Sequence, residues 1–227
     1  MTRILTVARP GLVDYERALA WQEALVAERR GAAADSLLLL EHPPVYTLGR
    51  GADARHLGTA ADGSVPVWRV GRGGEVTFHG PGQLVGYPIL DLRALRPDVR
   101  WYLRSLEEVI IGTLAELGIV AGRVPGRTGV WIDGCRKIAS IGIGLRRWVT
   151  RHGFALNIGP DLSGFEAITP CGIAGVTMTS AWREGARTTV ESTTALVLEH
   201  FMRVFGYERH EERFLLLDGA PAESRCG

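Results

Sequence analysis

Apolar positions along the chain switch between a two-residue and a 3.6-residue period, and the switches mark its elements. Residues 2–8 alternate as a first strand. Residues 14–30 carry Ala18, Leu19, Leu25 and Val26 at helical spacing, with acids early, Arg29 and Arg30 late, and Gly31 as a stop. The run Leu37-Leu38-Leu39-Leu40 reads as a buried strand over 36–40, broken by Pro43-Pro44 before a short strand over 45–48. Residues 51–64, rich in Gly, Ala and Asp, read as loop. Strands over 65–70 and 75–78 flank a Gly-Arg-Gly-Gly turn, and residues 83–92 return as another strand.

Asp98 predicts the cap of a long helix running to Leu117 and stopped by Gly118, with Leu103, Leu106, Val109, Ile110 and Leu114 on its buried face. Asp133-Gly134 between strands over 130–132 and 136–145 is a strong hairpin signal of the type I′ kind. A strand over 151–158, a mostly loop segment over 159–176 and a helix over 192–205 complete the pattern. The tail from residue 218 reads as frayed and flexible. Strand clusters alternating with a few long helices predict an α+β fold, a mixed and largely antiparallel sheet covered mainly on one face. Neither a repeat nor a linker divides the chain, so residues 1–227 are expected to form one catalytic domain.

Composition narrows the partners. At 227 residues the chain can bury a sizeable core, and a formal charge of +1 gives no global field toward nucleic acid or a membrane. Local Arg pairs, Arg146 with Arg147 and Arg123 with Arg127, could still meet an acidic partner. No secretory h-region opens the chain and no run approaches a spanning helix, so a soluble, cytoplasmic protein is expected. Cys135, Cys171 and Cys226 form no metal or paired-disulfide spacing.

Lys137 is the only lysine, whereas arginine supplies the other 25 basic residues. A coding bias that spared one surface position is the plain explanation. The chemical one is that Arg stays protonated while a lysine amine can give up its proton. Cys171 lies 34 residues on, between Pro170 and Gly172, in a loop that fixes the backbone and gives a thiol little cover. A thiol of pKa ~8.5 is mostly protonated at neutral pH. An ammonium ~4 Å away, at an effective dielectric of ~20, stabilises the thiolate by at most about 4 kcal/mol, enough to make it a major species. The same lysine could then take the proton of an incoming amine.

The other dense segment is Arg72-Gly73-Gly74-Glu75-Val76-Thr77-Phe78-His79-Gly80-Pro81-Gly82-Gln83, two Gly-rich turns around a short strand that ends on an imidazole. A tight structural hairpin would look the same. A Walker loop is excluded because no Gly-Lys-Ser/Thr follows, and the dinucleotide Gly-x-Gly-x-x-Gly spacing also fails.

With Glu41-His42-Pro43-Pro44-Val45-Tyr46-Thr47-Leu48-Gly49, Gly134-Cys135-Arg136-Lys137-Ile138-Ala139-Ser140-Ile141-Gly142, His152-Gly153-Phe154-Ala155-Leu156-Asn157 and Pro170-Cys171-Gly172, that segment makes five ordered motifs. Together they resemble the lipoyl(octanoyl) transferases of the biotin/lipoate protein ligase superfamily. The resemblance implies a biotin/lipoate ligase-like catalytic core over residues 30–213. It implies octanoyl transfer from acyl carrier protein, through a thioester on Cys171 activated by Lys137, to a lysine of a lipoyl domain. The acceptors would be 2-oxo-acid dehydrogenase subunits and the glycine-cleavage H protein.

It further implies an acyl-substrate site lined by Arg72, Gly73, Gly74, Glu75, Val76, Thr77, Phe78, His79, Ser140, Ile141, Gly142, Gly153, Phe154 and Ala155. No cofactor, neither ATP nor metal, is expected. Two alternatives stand beside this reading. An ATP-dependent lipoate or biotin ligase would share the fold, although the Pro-Asn-Asp that follows the biotin-ligase lysine is absent after Lys137. A non-catalytic acyl-carrier binding module would need the pocket but not the Lys137 and Cys171 pair.

Overall fold

The computed structural model describes residues 2–30, 33–159, 161–172 and 175–215, and of Arg30 and Cys171 it describes the backbone alone. The expected tail over 218–227, with Cys226, lies outside the described residues.

The run of four leucines sits on β2 (Asp35–Glu41), between β1 (Ile4–Leu12) and β6 (Gln83–Ile89). Leu37 and Leu39 face one apolar cluster and Leu38 and Leu40 another, which is why the strand is apolar at every position instead of every second one. The first cluster lies under α3 (Val99–Glu116) and α4 (Val190–Phe205); the second lies under α1 (Tyr15–Arg30). Helices thus cover both faces, which corrects the expectation of a sheet covered mainly on one. The signal was present in the leucine run, since only a strand buried on both sides has no use for alternating polar residues.

The described residues form a nine-stranded sheet of order β12-β1-β2-β6-β10-β9-β8-β7, with β11 also paired to β9. Here β7 is Gly122–Val124, β8 Arg127–Ile132, β9 Arg136–Arg146, β10 Val149–Asn157, β11 Thr177–Met178 and β12 Arg209–Glu212. The β1/β12, β1/β2 and β9/β11 pairs are parallel and the others antiparallel, so the mixed α+β expectation holds. A three-stranded sheet, β4 (Val67–Arg69), β3 (Val45–Leu48) and β5 (Val76–His79), forms a second layer.

The helix ends follow their side chains. Asp98 accepts from the Trp101 amide at 3.0 Å, and Thr189 with Ser192 forms a capping box that starts α4 at Val190, two residues earlier than its apolar pattern indicates. Such caps contribute about 1 kcal/mol each. Asp91 caps a short helix, α2 (Leu92–Leu95), where the strand over 83–92 was expected to continue. Residues 51–64 also differ from expectation. Asp53 accepts from the Arg55 amide and opens a 3-10 segment, Ala54–Asp62, that packs Ala60 and Leu57 beside Phe165 and Ile168. Ala54, Leu57 and Ala60 repeat at three-residue spacing, but Gly58, at φ 54° and ψ −130°, breaks the segment into short turns.

Candidate active site

The β8–β9 hairpin turns at Asp133 and Gly134, with φ of 49° and 71°, the two positive values a type I′ turn requires. That hairpin delivers Lys137 into the interior. The side chain is 3% exposed, with Nζ 5.2 Å from the centre of the Trp131 ring. Its slot depends on Gly129 of β8. A Cβ there would lie 2.8 Å from Lys137 Cε and 2.6 Å from the Ala139 carbonyl oxygen, and the backbone is held at φ 119°. Gly129 is itself anchored by its N–H, which donates to Glu107 of α3 at 3.2 Å. Glu107 is buried and takes further bonds from Arg104 at 2.6 Å and Arg123 at 3.0 Å. One residue of the expected Arg123/Arg127 patch is therefore committed to an internal cluster.

The 71–79 segment shares with Lys137 the lining of a cavity of about 210 Å³. The Gly73 amide donates to the Ile143 carbonyl at 2.8 Å, tying this segment to β9. Arg72 is nearly buried and spends its guanidinium on Thr47, donating to the carbonyl at 2.6 Å and to Oγ1 at 2.8 Å. The cavity is lined by Arg72, Gly74, Glu75, Val76, Thr77 and His79 from this side. Ser140, Ile141, Gly142, Gly153, Phe154 and Ala155 line it from β9 and β10, with Lys137 among them. Of the fourteen residues expected to bind substrate, Gly73 and Phe78 are not on this lining. Strand alternation turns Phe78 the other way from Thr77 and His79, onto Tyr46 and Phe165 at ring distances of 5.3 and 5.6 Å.

The floor is a group that sequence reasoning did not assemble: Tyr15 from α1, Tyr87 from β6 and His152 from β10. His42 lies behind it. The Val13 carbonyl can only accept, so His42 Nδ1 donates to it at 2.6 Å and leaves Nε2 to accept from the Tyr87 hydroxyl at 2.7 Å. His152 adopts φ 55° within a strand, meets Tyr87 edge-on at 6.4 Å, and keeps both ring nitrogens buried with no hydrogen-bond partner among the described residues. Burial holds three imidazoles well below the ordinary histidine value, His42 to about 4 and His79 and His152 to about 3. Burial also raises the Tyr15 phenol to about 12. At neutral pH the floor is polar in composition and uncharged in fact, which suits an apolar chain. His152 stood inside a quoted motif and was legible there; Tyr15 and Tyr87 converge only through the fold.

A relay ties the two walls. His79 Nδ1 contacts Gln83 Oε1 at 2.7 Å, Gln83 donates to Asn157 Oδ1 at 2.9 Å, and Asn157 donates to the Thr179 carbonyl at 3.0 Å. The Thr179 amide then donates to the Lys137 carbonyl at 2.9 Å. Gln83 and Asn157 thereby fix the relative positions of imidazole and lysine.

Cys171 lies on the short 3-10 turn Pro170–Gly172; its side chain is outside the described residues. The turn itself abuts the cavity wall, because a Cβ on Gly172 would lie 3.0 Å from Glu75 Cγ. Cys135 is exposed beside the hairpin, its thiol donating to the Asp133 carbonyl. Among the described residues no cluster of His, Cys, Asp and Glu is arranged to hold a metal ion, and no helix is long and apolar enough to cross a membrane.

Known proteins match this arrangement along most of the chain. An octanoyltransferase of Gloeobacter violaceus is 51% identical over 210 residues, 92% of this chain and 93% of that one. Those of Solibacter usitatus and Geobacter sulfurreducens are 51% and 53% identical, covering 87% and 83% of this chain and 91% and 80% of theirs. In fold the chain is similar to a lipoate-protein ligase A solved with ATP, with TM-score 0.73 at 15% identity over 94% of this chain and 90% of that one. It is also similar to Plasmodium falciparum LipL1 solved with lipoate, with TM-score 0.71 at 14% identity over 91% and 65%. The model of the lipoyl protein ligase A/B catalytic domain matches residues 14–202, and the chain belongs to that family.

Proposed function

We propose that this chain transfers octanoyl groups through a cysteine thioester. Octanoyl transfer for protein lipoylation is the activity of the chain; its relatives at 51–53% identity over most of its length are octanoyltransferases. In the proposed route the Cys171 thiolate attacks the carbonyl of a donor thioester, an octanoyl-acyl carrier protein. The carrier thiolate leaves and takes up the proton of the Lys137 ammonium, which becomes a neutral amine. The amine of a lipoyl-domain lysine then attacks the octanoyl-cysteine thioester, and its nitrogen loses one proton as the amide forms and the Cys171 sulfur departs. Lys137 stabilises the thiolate in the first half and accepts the amine proton in the second. Both steps exchange one acyl bond for another, so the route consumes no ATP and needs no metal.

One observation carries this reading: the sole lysine of the chain is buried on the lining of a cavity whose lining also includes Glu75, against which the turn that bears Cys171 packs. The uncharged floor supports an alkyl ligand, each methylene buried there contributing about 0.8 kcal/mol. The test is intact-mass analysis after mixing with octanoyl-acyl carrier protein and no nucleotide. The expected result is an octanoyl adduct on the native chain, absent in Cys171→Ser. An ATP requirement for transfer, or full turnover by Cys171→Ala, would refute the route.

A further inference from the structure

The Cys171 turn is held from beneath by a residue outside the cavity lining. His56, in the 3-10 segment Ala54–Asp62, contacts two parts of the site at once. Its ring Nδ1 lies 3.0 Å from Glu75 Oε2; a carboxylate only accepts, so Nδ1 is the donor. The same Glu75 oxygen accepts from the Asp53 amide at 3.1 Å. The His56 backbone carbonyl accepts from the Thr169 amide at 2.8 Å, and the Thr169 carbonyl accepts from the Gly172 amide at 3.0 Å, closing the turn around Cys171. The ring also packs against that turn, since a Cβ on Gly172 would lie 3.1 Å from His56 Cε1. Gly172 has φ 65°, so the turn is made at a left-handed residue with no side chain to brace it. Its bracing comes from outside, chiefly from His56 and Glu75.

We infer that His56 is a positioning residue for the octanoyl-transfer reaction: its bond to Glu75 locks the Cys171 turn to the acyl-cavity wall and so sets where the thiol meets the donor thioester. The inference rests on the cysteine route proposed above. Neither the composition of residues 51–64 nor any motif carried it, because the two contacts come from a ring and a carbonyl that only the fold brings to one place. His56 is surface-proximal, with its side chain 31% exposed, so its loss opens no large cavity. The stability cost should be small, while a displacement of the thiol by about 1 Å lowers the rate by up to about 10²-fold.

The experiment compares the full-length native chain with His56→Ala and His56→Asn. Pre-steady-state loading from octanoyl-acyl carrier protein is followed by intact mass, alongside the donor KM and thermal melting. Asn retains a side-chain amide donor near the Nδ1 position, so it is the rescue variant. The expected result is about 10–100-fold slower loading in His56→Ala with the donor KM within about twofold of native, and His56→Asn recovering most of the rate. Loading by His56→Ala at the native rate overturns the inference. Equal impairment of both variants also overturns it, since the bond to Glu75 would then not be the cause. If the native chain itself forms no adduct at Cys171, the cysteine route fails; if it loads and the His56 variants load equally well, only the role of His56 fails.

Discussion

Lys137 and Cys171 are held in opposite ways. Lys137 lies inside the main sheet, on β9, with β8 paired on one side and β11 and then β10 on the other. Its stem fills a slot that Gly129 leaves open, and α3 steadies that slot through Glu107. Among the described residues, the turn bearing Cys171 pairs with no strand; a backbone bond to His56 and packing on Glu75 and the His56 ring brace it. A side chain set in a sheet cannot be moved without disturbing the core. One set on a braced turn can be misplaced with little damage elsewhere. Changes near Lys137 should therefore alter activity and stability together, and changes near the turn should alter activity nearly alone.

The largest effect is expected from Lys137→Arg. The guanidinium retains the positive charge but not a proton that can leave, so amide formation should fall by about 10²–10³-fold, the scale of a lost general base. Alkylation of Cys171 by iodoacetamide should survive in part, because it needs only the thiolate. Comparing the two rates separates charge from proton transfer. Native transfer by Lys137→Arg would remove the lysine from the chemistry and return it to a coding bias.

Acid should strike the sheet-borne side first. His42, His79 and His152 stay neutral in the folded chain down to about pH 4 or below, whereas an unfolded chain protonates its histidines near pH 6.5. Between those limits the unfolded state binds more protons, so stability falls as pH falls. Each imidazole contributes up to about 1.4 kcal/mol per pH unit in that window. Urea denaturation at pH 7.5, 6.5 and 5.5 should show a slightly lower midpoint at pH 6.5, where the unfolded histidines are half protonated, and a much lower one at pH 5.5. A midpoint that stays flat to pH 5.5 would mean that the floor takes up protons without unfolding.

The contrast between the two regions also explains what the sequence made legible. The three long helices, the Asp133-Gly134 hairpin and the strand carrying Lys137 all announce themselves through local period and turn chemistry. Most of the substrate-site expectation came as contiguous motifs, and twelve of its fourteen residues do line one cavity. Phe78 shows the limit of a contiguous motif, since adjacent strand residues point to opposite faces. Tyr15 and Tyr87 were not legible because they reach the cavity from α1 and β6, which only long-range pairing brings together. Coverage of both sheet faces was legible in the four leucines, yet helix count alone argued for one face. The segment over 54–62 carried only a brief repeat, Ala54, Leu57 and Ala60, broken by Gly58, and its bonds to the site run through backbone carbonyls and one carboxylate.

Two glycine substitutions measure the comparison most directly, with smaller effects. Gly129→Ala would put a methyl 2.6 Å from the Ala139 carbonyl at φ 119°, in a region alanine rarely adopts, and would press on the Lys137 stem. A cost of about 1–3 kcal/mol is expected, lowering Tm by roughly 2–10 °C, with transfer activity falling in parallel. Gly172→Ala meets side-chain atoms only, Glu75 Cγ at 3.0 Å and His56 Cε1 at 3.1 Å, and its φ of 65° costs alanine about 1 kcal/mol. Its Tm should change by no more than about 4 °C, while octanoyl loading slows by at least as much as in Gly129→Ala. Melting and loading measured on both variants give four numbers. Should Gly172→Ala lose more stability than Gly129→Ala, or load octanoyl at the native rate, the division between a sheet-fixed lysine and a braced cysteine turn would be wrong.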